Sequence, residues 1–167
     1  MTFKLLAGIF CASLLFCGAS QAWPQSGGEE AEWTESEVPA PPAFDVRKLV
    51  PLEVSPNSSL VYGVDPASIS ISKSDSVVRY VMVASNASGA SNVMYEGIRC
   101  ATGEFKTYGR YSPDGRWTML ENPQWLSLYG NMPSKHPLRF AKAGACDGAA
   151  PSSSVQTLVN RLKNPLR

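Results

Sequence analysis

YEGIRCATGEFKTYGR, residues 95–110, decides how the chain is read. Two β-forming runs flank a short turn that contains Gly103, which is a hairpin signal. Val93 and Tyr95 share one face of the first run, whereas Ile98 and Cys100 have the opposite parity. A β-bulge at Gly97 would return all four to one buried face and make Cys100 a core-facing residue at a strand end.

Working back towards the N-terminus, residues 77–84 (VVRYVMVA) are apolar on both faces except at Arg79. A central strand covered on both sides has this pattern. Residues 68–72 (SISIS) alternate with period two, as a half-wet strand does. Residues 60–64 are apolar and end at Asp65-Pro66. Residues 48–54 (KLVPLEV) suit an edge strand, because Pro51 cannot donate to a central ladder.

Working forward, Ser112-Pro113-Asp114-Gly115 is a turn, and residues 116–120 return as the next strand. Residues 121–133 read as a connection and 134–141 as a short helix. Val155, Leu158, Val159 and Leu162 then recur at i, i+3, i+4, i+7, behind a capping box at Ser153–Gln156, and Asn164-Pro165 stops the helix. The fold class expected is α+β: an antiparallel β-meander with a C-terminal helix packed on the sheet and one disulfide.

The N-terminus has the form of a signal peptide over residues 1–22. Lys4 precedes an apolar run of about a dozen residues, and Ser20 and Ala22 place small residues before a cleavage site after Ala22. The alternatives are a retained membrane anchor and a lipoprotein held through Cys17, the latter disfavoured by the bulky Phe16. No later segment is long and apolar enough for a transmembrane helix. Residues 23–43 hold five glutamates, no base, and Pro39, Pro41 and Pro42. They are expected to be a disordered acidic arm, with Trp23 and Trp33 unusual residents. Residues 44–167 are expected to form the single globular domain. Without the leader, the chain has 14 basic and 14 acidic side chains, so the part after the arm is basic by about five charges. The arm either merely dissolves the chain or screens a basic surface until a partner arrives.

Two of the four cysteines lie in the leader, leaving Cys100 and Cys146. An even pair in an exported chain points to a disulfide. A free thiol and a metal ligand are the alternatives. With His136 as the sole histidine, the ligand set for zinc is thin, and no metal is expected.

Residues 61–71 (VYGVDPASISI), 77–81 (VVRYV) and 95–100 (YEGIRC), with Trp117 and Cys146, together resemble the CNP-one-like family of proteobacterial envelope proteins. The resemblance spans roughly residues 44–162. It implies an exported, periplasmic protein of Gram-negative bacteria, and it carries over no activity, substrate or catalytic residue.

Chemistry has little to build on. There is no Gly-x-Ser-x-Gly elbow, Walker loop or dinucleotide fingerprint, so no cofactor is expected. His136 reads as a surface or capping residue. Glu96 and Glu104 flank the hairpin and are the candidates for an acid–base pair. Their simpler role is as cross-strand partners of Arg99 or Lys106. Arg79, Arg99, Lys106, Arg110 and Arg116 fall on or beside the meander with Tyr108. If they converge, they form a basic patch for an anionic envelope protein, glycan or lipid headgroup. Nucleic acid is disfavoured by export and the balanced net charge. The expected function is a non-enzymatic binding or envelope-assembly module. The alternative is a hydrolase of an envelope polymer using Glu96 or Glu104.

Overall fold

The structure, a computed structural model, describes residues 32–164. The leader and the first part of the arm, residues 1–31, lie outside the described residues.

The sheet is built from β1 (Val50–Leu52), β2 (Leu60–Val64), β3 (Ser70–Ile71), β4 (Val77–Asn86), β5 (Ser91–Arg99), β6 (Glu104–Tyr111), β7 (Trp117–Met119) and β8 (Leu126–Ser127). Its order is β1-β2-β4-β5-β6-β7, with β3 also pairing β4 and β8 pairing β6, and every ladder is antiparallel. β4 to β7 form the expected meander. β1 is the edge strand, with Pro51 in its middle. The chain then passes through α1 (His136–Phe140), a wide turn at Ala141–Ala145, a small ladder of β9 (Cys146–Asp147) with β10 (Ala150–Pro151), and α2 (Val155–Lys163).

β4 is buried on both faces from Val77 to Ala84. On one face, Val78, Tyr80 and Met82 pack with Ile98 under Phe140 of α1 and Leu158 and Leu162 of α2. On the other, Val81 and Val83 join Val93, Tyr95 and Tyr108 beneath Val38, Phe44 and Leu49. The helical stripe is therefore the inward face of α2, as the periodicity expects. Its N-cap is Ser154, one residue later than the capping box predicts, with the hydroxyl accepting from Thr157 N at 3.0 Å.

Three expectations are corrected. First, the β4–β5 register runs unbroken from Val77↔Arg99 to Ser85↔Ser91, so Gly97 is not a bulge. The register shift is on the other side, where Tyr95↔Gly109 is followed by Glu96↔Thr107 and Tyr108 is the extra residue in β6. Val93 and Tyr95 thus face away from Ile98 and Cys100. Gly97 is needed for a different reason. A Cβ there would lie 2.9 Å from Tyr108 Cε2 and closer still to its hydroxyl. Second, the expected strand at 68–72 is only Ser70–Ile71. Pro66–Ser68 is a 3-10 turn capped by Asp65, and Ser68 Oγ bonds Asp65 O and Val81 N.

Third, the compact unit begins at Trp33 and not at Phe44. The second half of the expected disordered arm lies on the sheet, because its side chains find buried partners there, as described below.

Cys100 and Cys146 are disulfide-bonded, with Cα atoms 5.6 Å apart. The bond joins the end of β5 to the segment leading into α2.

Candidate functional site

β4, β5 and β6 place Arg79, Arg99, Lys106 and Tyr108 on the sheet face away from the helices. Arg79 and Lys106 are both directly opposite Gly97, and Tyr108 fills the space above it. These four expected binding residues do converge, and what they converge on is the chain's own residues 33–36.

Glu35 is the centre. Its carboxylate accepts from Lys106 Nζ at 2.5 Å, Tyr108 Oη at 2.6 Å and Arg79 Nη2 at 3.3 Å. Two positions earlier, Trp33 lies under the Arg99 guanidinium, 3.7 Å from the ring centroid, and meets Trp125 edge-on at 5.9 Å. Trp33 Nε1 donates to Asp75 O at 2.9 Å. Ser36 donates through both its N–H and its hydroxyl to Asp75 Oδ2. Asp75 in turn pairs with Arg79 at 2.7 Å and accepts from Val77 N.

Burial sets the electrostatics. It acts against the Asp75 charge, but the hydrogen bonds from Arg79, Ser36, Ser72 and the Val77 amide outweigh it and hold the carboxyl far below its ordinary range. Burial also opposes the Arg79 charge, and Asp75, Tyr108 and Glu35 reverse the balance, raising its pKa. The Tyr108 hydroxyl is pushed up by burial and by its bond to Glu35. It therefore serves as a neutral donor.

Arg110 and Arg116 do not join this cluster. Arg110 is opposite Met94, on the helix-side face, and bonds Asn92 Oδ1 at 3.0 Å. Arg116 is exposed at the turn and pairs with Asp114.

Glu96 and Glu104 are also separated. Glu104 is opposite Arg99 on the outer face and lies 3.8 Å from it, the cross-strand role. Glu96 faces the helices and is 1 % exposed. They lie on opposite sides of the sheet and do not form an acid–base pair. Glu96 accepts from Tyr80 Oη, Thr107 Oγ1 and His136 Nε2, the last at 3.0 Å. A carboxylate only accepts, so His136 carries its proton on Nε2.

His136 is thus buried rather than on the surface. It stacks on Tyr62 and places Nδ1 3.0 Å from Ser134 Oγ, which also donates to Tyr62 Oη. The line Ser134–His136–Glu96 runs hydroxyl, imidazole, carboxylate, but the Ser134 proton goes to Tyr62 Oη and not to the imidazole. Its central pair is sealed between sheet and α1, and it ties the 121–135 connection to β2, β4 and β5. No sequence spacing announced it, because Glu96 lies 40 positions before His136 in the chain.

A third feature is a cleft of about 760 Å³ along β1, between the sheet edge and the helix layer. Arg47, Lys48, Arg139, Lys142 and Lys163 line it against a single acid, Glu53. Arg47 and Lys48 share Asp45. Arg139, Lys142 and Lys163 have no carboxylate partner among the described residues. No three His, Cys, Asp or Glu side chains come together as a metal site among those residues. No helix there is long and apolar enough to cross a membrane.

Fold and site together define a small disulfide-linked α+β domain whose residues 33–36 are clasped by a basic and aromatic sheet face. The family model of the CNP1-like family matches residues 28–163, and the chain belongs to that family. The match starts before Trp33, so the clasped segment lies inside the family's span. No curated protein and no solved structure matches the chain significantly.

Proposed function

We propose that the chain is an exported, periplasmic, non-enzymatic module that binds an anionic partner of the cell envelope. The observation that carries this reading is the cleft along β1, where five cations face one carboxylate. Most basic residues on the meander are already neutralised within the chain, by Glu35, Asp75, Glu104 or Asp114. Within the cleft, Arg139, Lys142 and Lys163 have no carboxylate partner among the described residues, and such a surface steers and holds phosphate or carboxylate groups. Export is supported by the leader-like residues 1–22 and by the disulfide, which persists in oxidising compartments.

Co-sedimentation with phosphatidylglycerol-containing vesicles, set beside retention on a soluble acidic polysaccharide, tests the reading and separates lipid from glycan. K142E/K163E is expected to lower retention on the preferred probe by about tenfold or more, since each basic residue near an anionic surface is worth about 1 kcal/mol. Wild-type retention is expected to fall as salt rises. Equal retention of wild type and variant, or none by either, overturns the reading.

A further inference from the structure

The face that holds Trp33–Ser36 is independent of the basic cleft. We propose that it is a recognition site for an extended acidic segment of another protein, with an aromatic residue two positions before a carboxylate. The chain's own residues 33–36 occupy it as a displaceable internal ligand.

The contacts are those of a reader. Three donors, Lys106 Nζ, Tyr108 Oη and Arg79 Nη2, meet one carboxylate. Arg99 and Trp125 form a slot for one aromatic ring. Asp75 takes a backbone N–H and a hydroxyl from the following residue. Trp33 and Glu35 are alternate residues, so an extended strand presents both to the same side.

The occupant is held differently from the rest of the fold. Residues 33–44 join no β-ladder, and the segment's anchors include the side chains of Trp33, Glu35 and Ser36 and the Ser36 amide. Its release breaks no sheet pairing. Arg79 keeps Asp75 as a partner when Glu35 leaves, whereas Lys106 loses its carboxylate and is left to meet an incoming one.

The fit is also incomplete. Arg79 Nε and Arg99 Nε are buried without a hydrogen-bond partner. Such groups are rare and costly in native proteins. A segment bringing one more acceptor to this face satisfies what residues 33–36 leave open. The tether through Pro39, Pro41 and Pro42 gives the internal ligand a high effective concentration. Only a well-matched or locally concentrated partner displaces it.

The test uses the chain from Trp23 onward with W33A/E35A, and a labelled peptide copying residues 32–38 (EWTESEV) read by fluorescence anisotropy. The peptide is expected to bind the variant at least tenfold more tightly than wild type, and a peptide with Trp33→Ala or Glu35→Ala is expected to lose that gain. A folded variant that binds the peptide no better than wild type overturns the proposal. If the variant does not fold, hydrogen exchange of the wild type decides. The Glu35 and Ser36 amides are expected to exchange at least a hundredfold faster than those of β4. Protection equal to that of β4 means that the segment opens only with global unfolding, and overturns the proposal.

Discussion

Asp75 keeps its charge inside a sheet face because several donors surround it, among them Arg79, Ser36 and the Val77 amide. Its pKa is lowered in the folded state, so its contribution to stability is fully present above the unfolded carboxylate value of about 3.9. That contribution is lost as pH falls below that value towards the folded pKa. D75N leaves Arg79 buried without its closest counter-charge and is expected to cost about 2–4 kcal/mol at pH 7. Urea midpoints measured from pH 7 to pH 2.5 are expected to show the gap between wild type and D75N narrowing below about pH 4. A gap that does not change with pH rules out this role for Asp75. Gly97 carries a second lesson at this scale. A strand-interior glycine reads equally as a bulge or as a close approach, and here the neighbouring tyrosine made it the latter.

Among elements, the disulfide matters because it joins layers. Cys100 ends β5, Cys146 opens β9, and the bond closes a loop with a sequence separation of 46. Chain-entropy reasoning assigns such a loop roughly 4 kcal/mol, a large share of a small domain's stability. C100A/C146A is expected to lower urea-unfolding stability by about 3–4 kcal/mol, with α2 the first element to lose protection. A loss below about 1 kcal/mol means that Leu158, Val159 and Leu162 alone hold the helix on the sheet. The Glu96–His136 pair does similar work on α1, joining it to the sheet through a buried bond and the stack on Tyr62.

Over the whole molecule, charge is partitioned. The outer sheet face spends its cations on Glu35 and Asp75, while the β1 cleft leaves Arg139, Lys142 and Lys163 without carboxylate partners among the described residues. The two proposed binding features therefore make separable demands. The cleft needs only an anionic surface, and the clasp needs a particular pattern of side chains. The proposed export is tested separately from both. The intact mass of protein extracted from the envelope is expected to match a chain beginning at Trp23 and two hydrogens lighter than its thiol form. A lipid-modified N-terminal Cys17 would instead place the domain on a membrane tether, and an unprocessed chain would count against export.

Periodicity and composition, being local, were enough for β2, the strands and order of the β4–β7 meander, the edge position of Pro51 and the buried stripe of α2, but not for β8, which lies in the stretch read as a connection. Two cysteines left outside the expected leader were enough for the disulfide. What residues 33–36 do was not legible, because a Glu- and Pro-rich stretch has the composition of disorder whether or not a matching surface awaits it. That surface exists only once β4, β5 and β6 are aligned, which brings Arg79, Arg99, Lys106 and Tyr108 within reach of one carboxylate and one indole. The same holds for Glu96. From sequence it is an acid near a turn; in the fold, strand parity turns it inward to His136, and turns Glu104 outward to Arg99. Side-chain identity is written locally. Which charges meet is decided by register, and register is a property of the assembled sheet.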